Sequence, residues 1–162
     1  MSQDENFMRR AIQLARQGEN AGSGGPIGCV IVRDGQVVAE GHNEVFACKD
    51  PTAHAEMVTI RRATSKLQDS ELRGAVLYST LQPCGMCTMA SIWAKIGRIV
   101  YGAGRDDVHS MYFEGRHLDT FDFIQDAFRE DLELVGNVLR GECASLYVGP
   151  DQAVPSEGLV NM

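Results

Sequence analysis

The sequence contains no hydrophobic run long enough to cross a bilayer, which argues against a membrane-spanning helix. Its first residues, MSQDENFM, are acidic and lack an apolar segment, so we expect no signal peptide. It also lacks internal repeats, and its one low-complexity stretch is AGSGG. With 162 residues, 44% of them hydrophobic and 23% charged, the chain is expected to form one globular domain with a substantial core.

The number of cysteines is odd, which does not suit a framework of disulfide bonds. The chain has five cysteines and no export signal, which together favour a reducing compartment. We therefore expect a cytoplasmic protein.

An excess of positive charge is also missing. The net charge is −7, and the stretch from Asp106 to Met162 holds twelve acidic residues against three arginines and no lysine. A run of acidic residues is usually a solvated surface, but it also repels phosphates. We therefore expect no membrane partner, and nucleic acid is an unfavoured partner for this half of the chain.

The N-terminal part has clear helix and hairpin signals. Ser2 and Glu5 predict a capping box, and the apolar spacing after it predicts a helix over 6–18. A β-hairpin is predicted over 27–43, because the Asp-Gly pair at 34–35 is a strong turn signal between two β-rich runs.

Helices and strands then alternate. We predict helices over 54–67 and 85–97, and strands over 75–80 and 98–103. This alternation predicts an α/β fold, with crossover helices packed on the faces of a sheet.

The last part of the chain gives weaker signals. We predict a helix over 117–128, a strand over 131–136 and a final helix over 137–148. The Pro- and Gly-punctuated end is predicted to be irregular. We expect the domain to occupy 1–148, with 149–162 as a tail that is mobile or caps an active site.

Two cysteines stand three residues apart in TLQPCGMCTM, directly after Pro83. Proline suits the first turn of a helix, and residues three apart there face the same side. The sulfurs of Cys84 and Cys87 would therefore lie near the positive end of a helix dipole, which favours thiolates. A redox-active pair has the same arrangement. The remaining cysteines are candidate fourth ligands for a structural zinc: Cys29, Cys48 and Cys143.

A histidine and a glutamate about thirty residues earlier favour a third interpretation, a catalytic metal. His54, in DPTAHAEM, makes a third ligand of the type that zinc prefers, beside Cys84 and Cys87. Three protein ligands leave a fourth position for water, and Glu56 would move the proton of that water without binding the metal. A lone histidine is more often structural, but H-x-E followed by P-C-x-x-C is the established signature of the zinc deaminases.

On these residues the chain resembles the cytidine deaminase superfamily. GGPIG, EGHN, DPTAHAE and RIVYGAGRDD are similar to bacterial guanine deaminases, tRNA adenosine deaminases and fungal-type cytosine deaminases, and GGPIGCVIV and DDVHSMYFEG are most similar to guanine deaminase. The resemblance implies a three-layer α/β sandwich, with a five-stranded mixed sheet flanked by helices. It also implies one zinc ion per chain and a homodimer.

The resemblance assigns three further residues to the substrate. Asn43 would hydrogen-bond the base, Trp93 would wall its pocket, and Asp107 would accept hydrogen bonds from a guanine-like edge. Each residue also has an ordinary structural interpretation. Asn43 suits a turn at a strand end, a helical tryptophan is commonly a core residue, and an aspartate is favoured as a helix cap.

Two positions depart from the relatives. Gln82 replaces a glutamate that bacterial relatives often carry before the Pro-Cys pair, and Ile27 replaces a phenylalanine that guanine deaminases tend to place against the base. Gln82 is not a ligand, so zinc binding should survive that change. Ile27 is expected to contact the substrate, and its replacement of phenylalanine leaves the exact substrate open.

The expected activity is hydrolytic deamination of a free nucleobase, with guanine as the favoured substrate. A tRNA adenosine deaminase and a cytosine deaminase are alternatives with the same chemistry. A zinc-stabilised binding protein without catalysis is the alternative from another class, and the presence of Glu56 argues against it.

Overall fold

A computed structural model of the chain describes residues 1–113 and 116–154. Five strands form one sheet: β1 Gly28–Arg33, β2 Gln36–His42, β3 Val76–Leu81, β4 Arg98–Ala103 and β5 Glu133–Val135. Six α-helices accompany them in the described residues: α1 Gln3–Asn20, α2 Val45–Cys48, α3 Ala55–Leu67, α4 Gly85–Trp93, α5 Thr120–Asp126 and α6 Arg140–Ala144. Two 3-10 turns follow β4, at Arg105–Asp107 and Ser110–Phe113.

The first helix forms as the sequence predicts. The Ser2 side chain accepts the Glu5 backbone N–H at 3.2 Å, and the Glu5 carboxylate accepts the Ser2 backbone N–H at 3.1 Å. This capping box satisfies N–H groups that have no partner inside the helix. The buried face of α1 carries Met8, Ile12 and Leu14. Gly28 allows α1 to lie directly on β1, because a Cβ atom there would meet the Ala11 carbonyl oxygen at 1.9 Å.

The sheet is mixed, in the strand order β2-β1-β3-β4-β5. β1 pairs antiparallel with both β2 and β3, while β3, β4 and β5 run parallel. The hairpin turn at 34–35 has positive φ angles of 52° and 74° at its two residues, as expected for an Asp-Gly turn. The predicted five-stranded mixed sheet with flanking helices is therefore confirmed.

Alternating side chains of β3 separate the two helical layers. Tyr78 stacks on Phe7 of α1 with ring centroids 5.2 Å apart, and Thr80 shares a 2.7 Å hydrogen bond with the hydroxyl of Tyr147, beyond α6. Ser79 lies between them in sequence and points to the opposite face, where it donates to Glu56 of α3. The sheet thus carries α1 and α6 on one side and α3 on the other.

Some predicted boundaries differ from the structure. The final helix is confined to α6, shorter than the predicted 137–148, because Asn137 and Leu139 have positive φ angles of 66° and 52° and turn the chain before it. α4 ends at Trp93 rather than at Gly97, with Lys95 at a positive φ of 60° after it. Most of the predicted tail over 149–162 lies outside the described residues. Among the residues the structure describes, no helix is long and apolar enough to span a membrane.

Candidate metal and active site

The predicted metal ligands meet where two helices begin. His54 is the residue before α3, Cys84 is the residue before α4, and Cys87 lies in the first turn of α4. α4 follows β3 through Gln82 and Pro83, so the strand directs the start of that helix toward α3. Both helices present their positive ends here, which favours negatively charged ligands.

The three donor atoms form a cluster of the size that a metal ion requires. His54 Nδ1 lies 3.6 Å from Cys84 Sγ and 3.7 Å from Cys87 Sγ. All three ligand atoms lie within 4.8 Å of one another. A tetrahedral zinc ion with ordinary Zn–S and Zn–N bond lengths separates its sulfur and nitrogen ligands by about 3.5 Å. The donor set and its spacing therefore fit zinc.

The two thiols differ in their ease of ionisation. A hydrogen bond from Cys87, with His54 beside it, lowers the pKa of the Cys84 thiol to about 4. Burial and the neighbouring Cys84 raise the pKa of Cys87 well above its ordinary value. A second thiolate beside the first is unfavourable unless a cation neutralises both. This electrostatic arrangement is what a cation-binding pair of cysteines requires.

Glu56 lies beside the cluster without belonging to it. It is 4% exposed, and its Oε1 accepts the Ser79 hydroxyl at 3.1 Å. Burial, together with the negative charge of Cys84, raises the pKa of this carboxyl group above its ordinary value. A raised pKa suits a group that must take up a proton and release it again.

A small inner cavity of about 30 Å³ opens directly onto Glu56 and Asn43. The Asn43 side-chain oxygen accepts the Val45 N–H at 3.0 Å, whereas its Nδ2 is buried without a hydrogen-bond partner. Buried amide groups are rarely left unpaired, so this donor is available to a bound ligand. Gly24 makes the arrangement possible, because a Cβ atom there would meet the Asn43 side-chain oxygen at 2.1 Å. Ile27 lines the same cavity.

A larger outer cavity of about 190 Å³ adjoins the inner one and shares five lining residues with it: His54, Gln82, Cys84, Tyr112 and Phe113. Gln82 is 6% exposed and connects three parts of the wall. Its Oε1 accepts the Arg105 backbone N–H at 3.0 Å, and its Nε2 donates to the Thr120 hydroxyl at 3.3 Å. Both contacts exploit the amide, which offers a donor and an acceptor where an ionised glutamate offers acceptors alone.

Two residues predicted to contact the substrate do not line either cavity. Trp93 is 74% exposed at the end of α4, and it is neither a pocket wall nor a core residue. Asp107 uses both carboxylate oxygens within the protein: one accepts the Gly104 N–H at 2.8 Å, and the other accepts the Arg140 Nε–H at 2.9 Å. The structural interpretation of Asp107, a cap on a helical turn, is the one that the structure supports.

Three residues of the site were not identified from the sequence. Tyr112 and Phe113 line both cavities, and Ser79 binds Glu56. The aromatic pair is visible in the MYFEG stretch, but two adjacent aromatic residues alone do not indicate the wall of a pocket. Ser79 carried a signal too, because a serine alternates with apolar residues in a strand directly before the Pro-Cys pair.

Residues 1–103 match the family model described as the cytidine and deoxycytidylate deaminase zinc-binding region. The chain belongs to this deaminase family. The match includes all three candidate ligands and Glu56, which form the cluster described above.

The chain is similar to guanine deaminases and to tRNA-specific adenosine deaminases. Guanine deaminase of Bacillus subtilis is 44% identical over 110 residues, which cover 68% of this chain and 70% of the relative. The tRNA-specific adenosine deaminase of Haemophilus influenzae is 37% identical over 143 residues, covering 87% and 79%. A solved guanine deaminase structure from Nitrosomonas europaea superposes with a TM-score of 0.78 at 25% identity, covering 88% of this chain and 81% of that one.

Proposed function

We propose that the protein is a zinc-dependent hydrolytic deaminase of a free nucleobase, with guanine as its best substrate. The observation that carries the proposal is the unpaired Asn43 Nδ2 in a cavity that also contains Glu56. A nitrogen heterocycle supplies the acceptor that this donor lacks, and it brings a ring amine next to the proton-transferring carboxylate.

His54, Cys84 and Cys87 would hold one zinc ion per chain. Bound zinc supplies Lewis-acid chemistry, which lowers the pKa of water in its open position toward neutrality. The Glu56 carboxylate accepts a proton from the attacking water and delivers it to the ring nitrogen beside the reacting carbon. Glu56 then takes the remaining proton of the added hydroxyl group and delivers it to the exocyclic amine. The C–N bond breaks as the ring carbonyl forms, so that a base and water give an oxo-base and ammonia. Ser79 holds the carboxylate in position by donating to its Oε1.

The walls of the inner cavity suit a planar base. Ile27 and Leu81 provide apolar surface, and Tyr112 and Phe113 provide aromatic surface. Flat apolar walls bury the faces of a ring, while a few polar groups at its edge fix its orientation. We propose that Ile27 and Asn43 both contact the base.

Ion pairs on α3 and the net charge of the chain favour a free base over tRNA. Arg61 pairs with Asp50 at 3.8 Å, and Arg62 pairs with Glu44 in a short ion pair of 2.5 Å. Arginines that are already neutralised offer less to a phosphate backbone, and the net charge of −7 repels one.

A tRNA adenosine deaminase is the second candidate. It is favoured by the greater share of this chain, 87% against 68%, that matches the tRNA-specific relative. The chemistry at Glu56 would be the same, and the substrate would reach the inner cavity as a flipped nucleotide.

Ammonia release decides between the candidates. Zinc-loaded protein is assayed with guanine, guanosine, adenine, cytosine and an anticodon stem-loop that contains adenosine. We expect the highest kcat/KM with guanine and no conversion of the stem-loop. Faster conversion of the stem-loop than of guanine would overturn the choice of substrate, and ammonia release from no member of the panel would overturn the proposal of a deaminase.

We also propose a cytoplasmic homodimer. All five cysteines are free thiols, which supports a reducing compartment. Trp93 and Phe128 are 74% and 87% exposed. Their neighbours in sequence, Ile92 and Arg129, share a 3.1 Å hydrogen bond, which places the two aromatic residues at the same end of the α4–α5 pair. Exposed aromatic surface of this kind is typical of interfaces. Light scattering should give a dimer mass for the protein and a monomer mass for Trp93→Glu; a monomeric wild-type protein would contradict the proposal.

A further inference from the structure

The inner cavity is too small for the substrate that it is proposed to bind. Its volume of about 30 Å³ leaves room for about two water molecules. A nucleobase that reaches Asn43 and Glu56 must therefore extend into the adjoining outer cavity, past Tyr112 and Phe113, or displace a wall of the inner one.

Phe113 is the wall residue with space behind it. It lines the inner and the outer cavity, and it also lines a third cavity of about 280 Å³ that is bordered by Val108, Ser110 and Pro150. The neighbouring Tyr112 is anchored instead: its hydroxyl accepts the Val148 N–H at 3.1 Å, and its ring packs edge-on against Tyr147. Of the two aromatic walls, Phe113 is the one that can turn into empty volume.

Arg105 contacts both Phe113 and the outer rim, which is the edge of the outer cavity formed by Arg116 and Leu118. Its guanidinium carbon lies 5.3 Å from the centroid of the Phe113 ring, in a cation–π arrangement. The same guanidinium donates to the carbonyl of Leu118 at 3.4 Å and to the carbonyl of Arg116. Its backbone N–H is fixed by Gln82, so one residue connects the floor of the site, its aromatic wall and its rim.

The geometry points to Phe113 as the residue that sets which ring sizes the site accepts, and to Arg105 as its positioning residue. The inference rests on the proposed deaminase activity. The Phe113 ring turns toward Val108 and Pro150 to admit a base, and then packs against it as one wall of the enlarged cavity. Arg105 limits this movement, because the guanidinium must stay within reach of two rim carbonyls.

Ring-size selectivity tests the inference. We compare the ratio of kcat/KM for guanine to that for cytosine in zinc-loaded wild type, Phe113→Ala, Arg105→Lys and Arg105→Met. For Phe113→Ala we expect the guanine KM to rise about tenfold, the selectivity ratio to fall by a similar factor, and kcat to change much less, since the lost contact is to the bound ring rather than to the reacting groups. Arg105→Met should change the ratio in the same direction, and Arg105→Lys should restore part of it.

The matched control is Phe7→Ala, which removes a half-buried aromatic ring from α1, where it stacks on Tyr78 rather than lining the site. It should lower stability without changing the selectivity ratio. Guanine KM and selectivity at wild-type values in folded, zinc-loaded Phe113→Ala would overturn the inference while leaving the deaminase proposal intact. A wild-type protein that deaminates neither base would instead overturn the proposed function, and this inference with it.

Discussion

Cys87 is the most deeply buried of the three candidate ligands, with no exposed surface. Its raised pKa means that the protein alone disfavours the thiolate there, and a cation bound beside it would favour ionisation. Ionisation of both cysteines together is therefore favoured by a cation that offsets their negative charges. His54 and the two cysteines come from two separate chain segments, and each segment is ordered by the helix that it begins.

Replacement of Cys87 by alanine should therefore remove zinc and destabilise the fold, because the free energy of metal binding is also free energy of folding. Zinc content by atomic spectroscopy should fall from about one per chain to near zero, and the melting temperature should fall with it. Cys48→Ala is the matched control, since Cys48 is exposed and lies outside the ligand cluster. Retention of full zinc content in Cys87→Ala would exclude this ligand set.

The sequence predicts that Asp107 contacts the substrate, but in the structure its carboxylate binds Gly104 and Arg140. It ties α6 to the turn after β4 through Arg140, and its side chain is 11% exposed. Asp107→Ala should lower the free energy of unfolding by about 1–2 kcal/mol, as expected when a cap and a charge-assisted hydrogen bond are lost. The guanine KM should stay near its wild-type value. A large rise in KM without loss of stability would return Asp107 to the substrate.

At the scale of elements, Asp4 links the start of α1 to the sheet. Its carboxylate accepts two hydrogen bonds of 2.8 Å from Arg98 on β4 and one of 2.8 Å from the Tyr78 hydroxyl on β3. Arg98 also pairs with Glu133 of β5 at 2.9 Å. The hydrogen bonds from Arg98 lower the pKa of Asp4 below its ordinary value. The Asp4–Arg98 ion pair thus connects α1 with β3, β4 and β5.

This network predicts a pH dependence of stability. Because the folded-state pKa of Asp4 lies below its unfolded-state value, its contribution is present above about pH 4 and is lost as the pH falls through the folded-state pKa. Asp4→Asn should unfold more easily than wild type at pH 7, by about 1 kcal/mol or more, and the difference should shrink in urea titrations below pH 4. A difference that stays constant with pH would show that the charge of Asp4 is not responsible.

Across the whole molecule, the layers of the fold and the clustering of His54, Cys84 and Cys87 could be predicted from the sequence, whereas the positions of Trp93 and Asp107 away from the two cavities could not. The capping box, the Asp-Gly hairpin and the alternation of helices and strands are local signals, and each one places an element. The ligand motif is also local, with two ligands at helix starts. Arg105 contacts Gln82, Phe113 and Leu118, which lie in three separate segments, and no local pattern encodes that arrangement.

Trp93 also shows that a local pattern does not determine which neighbours a side chain contacts. Its position two turns along α4 is correct from the sequence, but the helix ends there and the ring points into solvent rather than toward the cavity. Helical spacing gives the distance of a residue from the metal along the chain, and it does not say which neighbour the residue faces. The short length of α6 is also missed by the local pattern, because Asn137 and Leu139 adopt positive φ angles although neither residue is a glycine.

The Glu56→Gln variant tests the proposed role of Glu56 as the proton carrier of a metal-dependent deamination. Ammonia release from guanine is compared between wild type and Glu56→Gln at equal zinc content. The variant keeps the shape of the side chain and can still accept the hydrogen bond from Ser79, but its amide cannot accept the proton of water. We expect full zinc content and turnover lower by about 10²–10⁴-fold or more. Turnover near the wild-type rate in a zinc-loaded, folded Glu56→Gln protein would contradict it.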